Sequence, residues 1–242
     1  MTSFHIDIAE VTKTFGSTNV LGPTSLQVAE GEFVSLLGPS GSGKSTLLSL
    51  IAGLDQPTSG GVFVRGQQVT GAGPDRGVVF QDHALLPWMT AQGNIEFALR
   101  AAHPEYTKAL RVEVAQDFLG KVGLEKAAQR RPGQLSGGMQ QRVGLARAFA
   151  VGSDILLLDE PFGALDALTR RQLQSLLLQV WEANRRTVVM VTHDVDEALA
   201  LSDRVVVLSS GPAATISGDF SVPPTPQERQ ELRGRLLQML EH

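Results

Sequence analysis

Residues 38–45 run Gly38-Pro39-Ser40-Gly41-Ser42-Gly43-Lys44-Ser45, between the apolar stretches Phe33-Val34-Ser35-Leu36-Leu37 and Thr46-Leu47-Leu48-Ser49-Leu50-Ile51-Ala52. The first apolar stretch predicts a buried strand and the second a helix, which puts a GxxxxGK[ST] pattern at a strand–loop–helix junction. A helix N-terminus leaves backbone N–H groups without partners, and its dipole favours negative charge. Gly38, Gly41 and Gly43 allow the loop to curl so that further N–H groups face inward around phosphate oxygens. Lys44 adds a mobile cation for the outer phosphates, and the Ser45 hydroxyl suits Mg²⁺. The chemistry expected here is the binding of a nucleoside triphosphate. A chance glycine–serine loop would not be framed by a strand and a helix.

The rest of the composition narrows the class. The chain has 242 residues, 42% of them hydrophobic, enough for one large α/β domain with an insertion. Aromatic residues are only 5% and the net charge is −4, so neither base stacking nor a basic surface supports nucleic acid as a partner. Cysteine is absent, which excludes disulfides and thiolate metal sites. Met1 to Asp7 show no charged leader, so no signal peptide is expected. Apolar runs such as Ile155–Leu158 and Val205–Leu208 fall far short of the ~20 residues of a spanning helix, so any membrane role is expected to come through a partner.

Along the chain, residues up to about 35 alternate short β-like runs with Gly and Pro turns and read as an antiparallel edge. Val62-Phe63-Val64 reads as a strand and Arg76–Phe80 as another, buried one. Residues 82 to about 150 carry apolar positions at helical spacing and read as a helical insertion, its last helix starting after the N-cap Ser136. The α/β rhythm then returns with strands at 154–158, 187–192 and 204–208 and helices at 166–181 and 195–200. Continuous apolar strands separated by helices predict a mostly parallel sheet covered on both faces. Pro223, Pro224 and Pro226 interrupt the chain before a last helix at 227–240. The expected organisation is an ATPase domain over 1–222, with the helical subdomain inserted at about 82–150, and a helical tail over 223–242.

Four further places carry chemistry. Asp159 ends the strand Ile155–Leu158, at the edge where a parallel sheet presents its working groups, and can hold Mg²⁺. Glu160 follows and can orient and deprotonate a water, though a capping role is an equal reading of the residue alone. His193 and Gln81 end neighbouring strands and share that positional logic. Leu135-Ser136-Gly137-Gly138-Met139-Gln140-Gln141-Arg142 is a second glycine-bearing helix start, fit for phosphate. One bound nucleotide needs only one such loop, so the spare one is expected to complete the site of another copy of the chain. Leu85-Leu86-Pro87-Trp88 is either a local packing cluster or a surface for a partner.

Over essentially its whole length this chain resembles the ATP-binding subunits of ABC transporters. Gly38–Ser45 is similar to their Walker A motif, Leu135–Arg142 to their signature and Ile155–Asp159 to Walker B. Ala164-Leu165-Asp166 resembles the D-loop, Gln81 the Q-loop and His193 the switch histidine. The resemblance implies a P-loop α/β fold with an antiparallel β edge and a helical insertion. It implies ATP held by Phe15, by Gly38 through Ser45 with Thr46, and by Ser136, Gly137, Gly138 and Gln140. It also implies Mg²⁺ at Ser45, Gln81 and Asp159, and hydrolysis by Glu160 with His193, Gln81 and Lys44. The implied assembly is a head-to-tail homodimer on the cytoplasmic face of the inner membrane, with permease subunits and a periplasmic or lipid-anchored solute-binding protein. Pro74–Gln81, Leu85–Trp88 and Pro161–Asp166 resemble the nitrate/sulfonate/taurine importer branch. Gln174–Trp181 and Leu208–Pro212 are most similar to its taurine members. Taurine or a related sulfonate is therefore the first expected cargo, with nitrate or another small anion as the alternative. A soluble ABC ATPase of repair or translation is the competing class, but such proteins generally carry two nucleotide domains or a long coiled coil.

Overall fold

A computed structural model describes residues 4–82 and 84–240; Met1–Ser3, on which the leader reading partly rests, lie outside the described residues. In chain order the elements are β1 (Ile6–Phe15), β2 (Thr18–Val28), β3 (Phe33–Leu37), α1 (Lys44–Ala52), β4 (Ser59–Val64), β5 (Gln67–Gln68) and β6 (Arg76–Val79). They continue with α2 (Ala91–Ala102), α3 (Lys108–Lys121), α4 (Gly137–Val151), β7 (Ile155–Asp159), α5 (Ala167–Asn184) and β8 (Thr187–Val191). The last are α6 (Val195–Leu201), β9 (Arg204–Leu208), β10 (Ile216–Ser221) and α7 (Pro226–Leu240). Two compact units result, one made of the chain up to Gly73 with Arg185 onward, the other of Pro74–Asn184.

The first unit holds two kinds of sheet. β2, β1, β4 and β5 form an antiparallel sheet in that order. Its strands alternate between buried and exposed positions, as in β1 where Ile6, Ile8 and Val11 are buried. β3 lies between β8 and β9 and runs parallel to both, and all five of its residues are buried. That explains its unbroken apolar run: neither face meets water. β10 adds an antiparallel edge on β9, a strand the sequence pattern does not announce, because Ile216–Ser221 alternates half-buried with exposed positions and includes Gly218.

The second unit pairs β6 with β7 in parallel and packs α2, α3 and α4 on one another. Each of these helices starts on a hydroxyl cap. Thr90 accepts from the Gly93 amide, Thr107 from Leu110 and Ser136 from Met139. The expected buried strand at 76–80 differs in the structure. It ends at Val79, the only fully buried residue of the four, because β7 is the only strand that β6 pairs with inside its unit.

Candidate nucleotide and catalytic site

Strand register sets the level of each functional residue. In the first unit Leu36 pairs with Val191 on β8, and the Thr192 amide donates to the Leu36 carbonyl at 3.2 Å. Gly38, two residues past Leu36, and His193, two past Val191, therefore leave the sheet at the same end. In the second unit Val79 pairs with Leu158, so Gln81 and Glu160, each two residues further on, emerge together. The Gln81 Nε2 donates to Glu160 Oε2 at 3.3 Å.

The phosphate loop is built around its lysine. Lys44 is the first residue of α1 and is buried. Its ammonium donates to the carbonyls of Gly38 and Pro39, each at 2.8 Å, and to Ser42 Oγ at 3.1 Å. The cation thus organises the backbone that curls over it. Gly43 has φ 78°, and a Cβ there would stand 2.6 Å from Leu21 Cδ2, so conformation and space both exclude a side chain. Pro39 and Thr46 are half-buried, whereas Ser40, Gly41 and Ser45 are exposed. Ser45, exposed in the first turn of α1, carries a hard oxygen donor of the kind that suits Mg²⁺. Phe15, at the end of β1, is 50% exposed, and Lys13 Nζ lies 4.6 Å from its ring centroid.

The second unit carries two carboxylates of its own. Asp159 is the half-buried last residue of β7. Glu160 follows with φ 46°, a left-handed conformation that costs a non-glycine residue about 1–2 kcal/mol. Its carbonyl accepts from Gln141 Nε2 at 3.4 Å and from the Gly163 amide at 3.3 Å. A strained residue with a pinned carbonyl fixes where the side chain leaves the backbone, and the Gln81 amide meets its carboxylate. Ser136 and Gly137 are exposed at the start of α4, and a Cβ on Gly138 would lie 3.3 Å from the Ala164 carbonyl. Gln140 turns back instead, donating to the carbonyls of Pro132 at 3.1 Å and Leu135 at 3.3 Å, so it fastens the turn ahead of the glycines. Asp166 caps α5 by accepting from the Thr169 and Leu168 amides, and these bonds, that of Thr169 foremost, hold its carboxyl below the usual range.

Two amides had no signal in the sequence. Gln141 is buried on α4 and anchors Glu160; only its place on an otherwise apolar helix face hints at a role. Asn94, fully buried on α2, accepts from the Leu86 amide at 2.7 Å and donates to the carbonyls of Leu86 and Thr90. It fixes the segment that presents Trp88, which is 65% exposed.

A profile described as ABC transporter matches residues 21–163. The chain belongs to the ABC transporter family. This ABC protein is a transport ATPase with the P-loop fold of that family. It is 50% identical over 225 residues to the nitrate import ATP-binding protein NrtD of Synechococcus elongatus, covering 91% of this chain and 82% of that one. It is 47% identical over 236 residues to the bicarbonate transport ATP-binding protein CmpD of Synechocystis, covering 96% and 84%. A dimeric structure of the ATP-binding cassette MJ0796, in a post-hydrolysis state with ADP and Pi, has a TM-score of 0.82 at 35% identity, covering 91% of this ABC chain and all of that one. Nitrate and bicarbonate, not taurine, are named for these relatives. The few segments that resemble taurine members, Gln174–Trp181 and Leu208–Pro212, lie outside the phosphate loop and the signature, so they weigh little against half-identity over most of the chain. Among the described residues no helix is long and apolar enough to cross a membrane.

Proposed function

We propose that the chain hydrolyses ATP to drive import of a small inorganic oxyanion, nitrate first. The 50% identity to NrtD across 91% of the chain carries this reading. Bicarbonate is the second reading, favoured by the likeness to CmpD. Both are small, trigonal, singly charged anions, whereas taurine is a larger zwitterion.

In the proposed cycle Phe15 stacks on adenine and Gly38–Thr46 cradle the phosphates. Lys44 exchanges loop carbonyls for the β- and γ-phosphate oxygens. Ser45, Asp159 and Gln81 each carry an oxygen donor of the hard kind Mg²⁺ takes and would hold it, and the ion would supply charge neutralisation. Glu160 accepts a proton from a water as that water's oxygen bonds to the γ-phosphorus and the bond to the ADP oxygen breaks. His193 holds the γ-phosphate. Ser136, Gly137 and Gly138 of a second copy close on the same phosphate, giving a head-to-tail dimer with two shared sites. Gln140 supports that loop through its bonds to the preceding turn.

Permease subunits dock on the helical subdomain, on the cytoplasmic face of the inner membrane. Leu85–Trp88 continues into a groove of about 380 Å³ whose walls include Met89, Phe97, Arg100, Lys108 and Arg111. An exposed apolar and basic wall of this kind suits an amphipathic, acidic segment. A solute-binding protein, periplasmic or lipid-anchored, delivers the anion.

The test is reconstitution in proteoliposomes with its permease and solute-binding protein. ATP hydrolysis stimulated by nitrate supports the main reading. Stimulation by bicarbonate alone selects the second, and stimulation by taurine alone overturns both.

A further inference from the structure

The helical tail stands outside every motif in the proposed cycle, yet it is built into the first unit. Leu232 and Leu236 on α7 are buried in one cluster with Leu37, Val195 and Leu199. Leu37 is the residue before Gly38 of the phosphate loop, and Val195 comes two residues after His193. The tail helix thus packs under the bases of two γ-phosphate elements.

A second tie is polar. Arg233 on α7 grips Asp196 through two parallel bonds, Nε to Oδ1 at 2.6 Å and Nη2 to Oδ2 at 3.0 Å. Asp196 belongs to the first turn of α6, and its amide, with that of Glu197, donates to the N-cap carboxylate of Asp194. The Asp194 amide in turn donates to Thr192 Oγ1 at 3.1 Å, and that hydroxyl donates to Glu197. His193 lies inside this closed set of bonds, so a guanidinium 37 residues beyond Asp196 holds the outer edge of the turn that carries it. A fork-to-fork pair fixes orientation as well as distance, which a lysine or an apolar contact would not.

We propose that α7 is a brace for the His193 turn and that Arg233 is a positioning residue for ATP hydrolysis, acting through Asp196. The tail then serves turnover, and neither touches nucleotide nor merely closes the core. This rests on the role given to His193 above.

The test uses the full chain, with kcat, KM for ATP and thermal midpoint measured for R233E, D196R, the swapped pair D196R/R233E, H193A, and H193A/R233E. R233E is expected to lower kcat by about three- to tenfold with KM and midpoint little changed, in line with an ion pair of this kind turned repulsive. The swapped pair is expected to regain most of the loss. In the H193A background R233E is expected to cost nothing further, because the group it positions is gone. An unchanged kcat in R233E overturns the inference, as does an equal loss with and without His193. A drop in midpoint matching the drop in rate also overturns it, by making the tie structural only. If H193A itself hydrolyses ATP normally, the histidine's role has failed, which is a different result from an R233E without effect.

Discussion

Glu160 combines a carboxylate at the end of β7 with a backbone conformation that disfavours side chains, and its carbonyl is held by Gln141 and Gly163. Strain kept in place by surrounding bonds is expected where a group must point one way. E160Q keeps the shape and removes the base. Equilibrium ATP binding should persist while turnover falls by about a hundredfold or more, read by phosphate release; near-normal release would remove Glu160 as the base. Gly43 makes a second point. G43A forces a Cβ into Leu21 at φ 78° and should cost about 1–2 kcal/mol in denaturant unfolding, with weaker ATP binding. G66A, also at positive φ but with nothing within 4 Å, should lose stability without losing affinity.

α4 connects three functions along one helix. Its N-terminus presents Ser136 and Gly137, Gln141 in its middle reaches the Glu160 carbonyl, and Arg147 near its end donates to the Ala84 carbonyl at 2.8 Å. S136R blocks the exposed end of α4 and leaves every residue of the phosphate loop unchanged. ATP should bind to the isolated chain with affinity within about threefold of wild type while steady-state hydrolysis is lost, as expected for an interaction made only in the closed state. The sheets carry a pH signature of their own. Asp55 accepts from Lys13 Nζ at 2.6 Å, and this bond holds its carboxyl below the ordinary carboxylate value. Asp196 is lowered in the same sense by Arg233, but that pair is exposed and screened, so it adds little to stability. A carboxyl lowered on folding stabilises the native state fully above its unfolded value of about 4, and that contribution is lost as pH falls through its folded value. D55N should therefore lower the thermal midpoint at pH 7 and lower it progressively less as the pH falls below about 4, a trend that a pH series of melts would show directly.

In the proposed assembly, the spare signature loop closes on the nucleotide of a second copy. Mixing equal amounts of S136R and K44A chains should restore about a quarter of wild-type hydrolysis, since half of the dimers are mixed and each holds one intact site made from the Lys44 of one chain and the Ser136 of the other. Equal inactivity of the mixture and its parts would exclude shared sites. The phosphate loop, the α4 cap and the end of β7 were legible before any coordinates, because local chemistry dictates them. Glycine at positive φ, a hydroxyl at a helix start and an apolar run between turns act over a few residues. The half-exposed β6 and the added strand β10 were not legible, since burial depends on which strands pair and not on the strand itself. Nor were Gln141, Asn94 and Arg233. Their bonds to Leu86, Glu160 and Asp196 reach 8 to 37 residues along the chain, and a side chain's partner at that distance is chosen by packing. The sequence alone thus determined the nucleotide chemistry and the order of the elements, because these follow from short-range sterics and hydrogen bonding. Tertiary structure alone decided which neutral-looking side chains hold the reactive ones in place, because that depends on where the folded chain returns to itself.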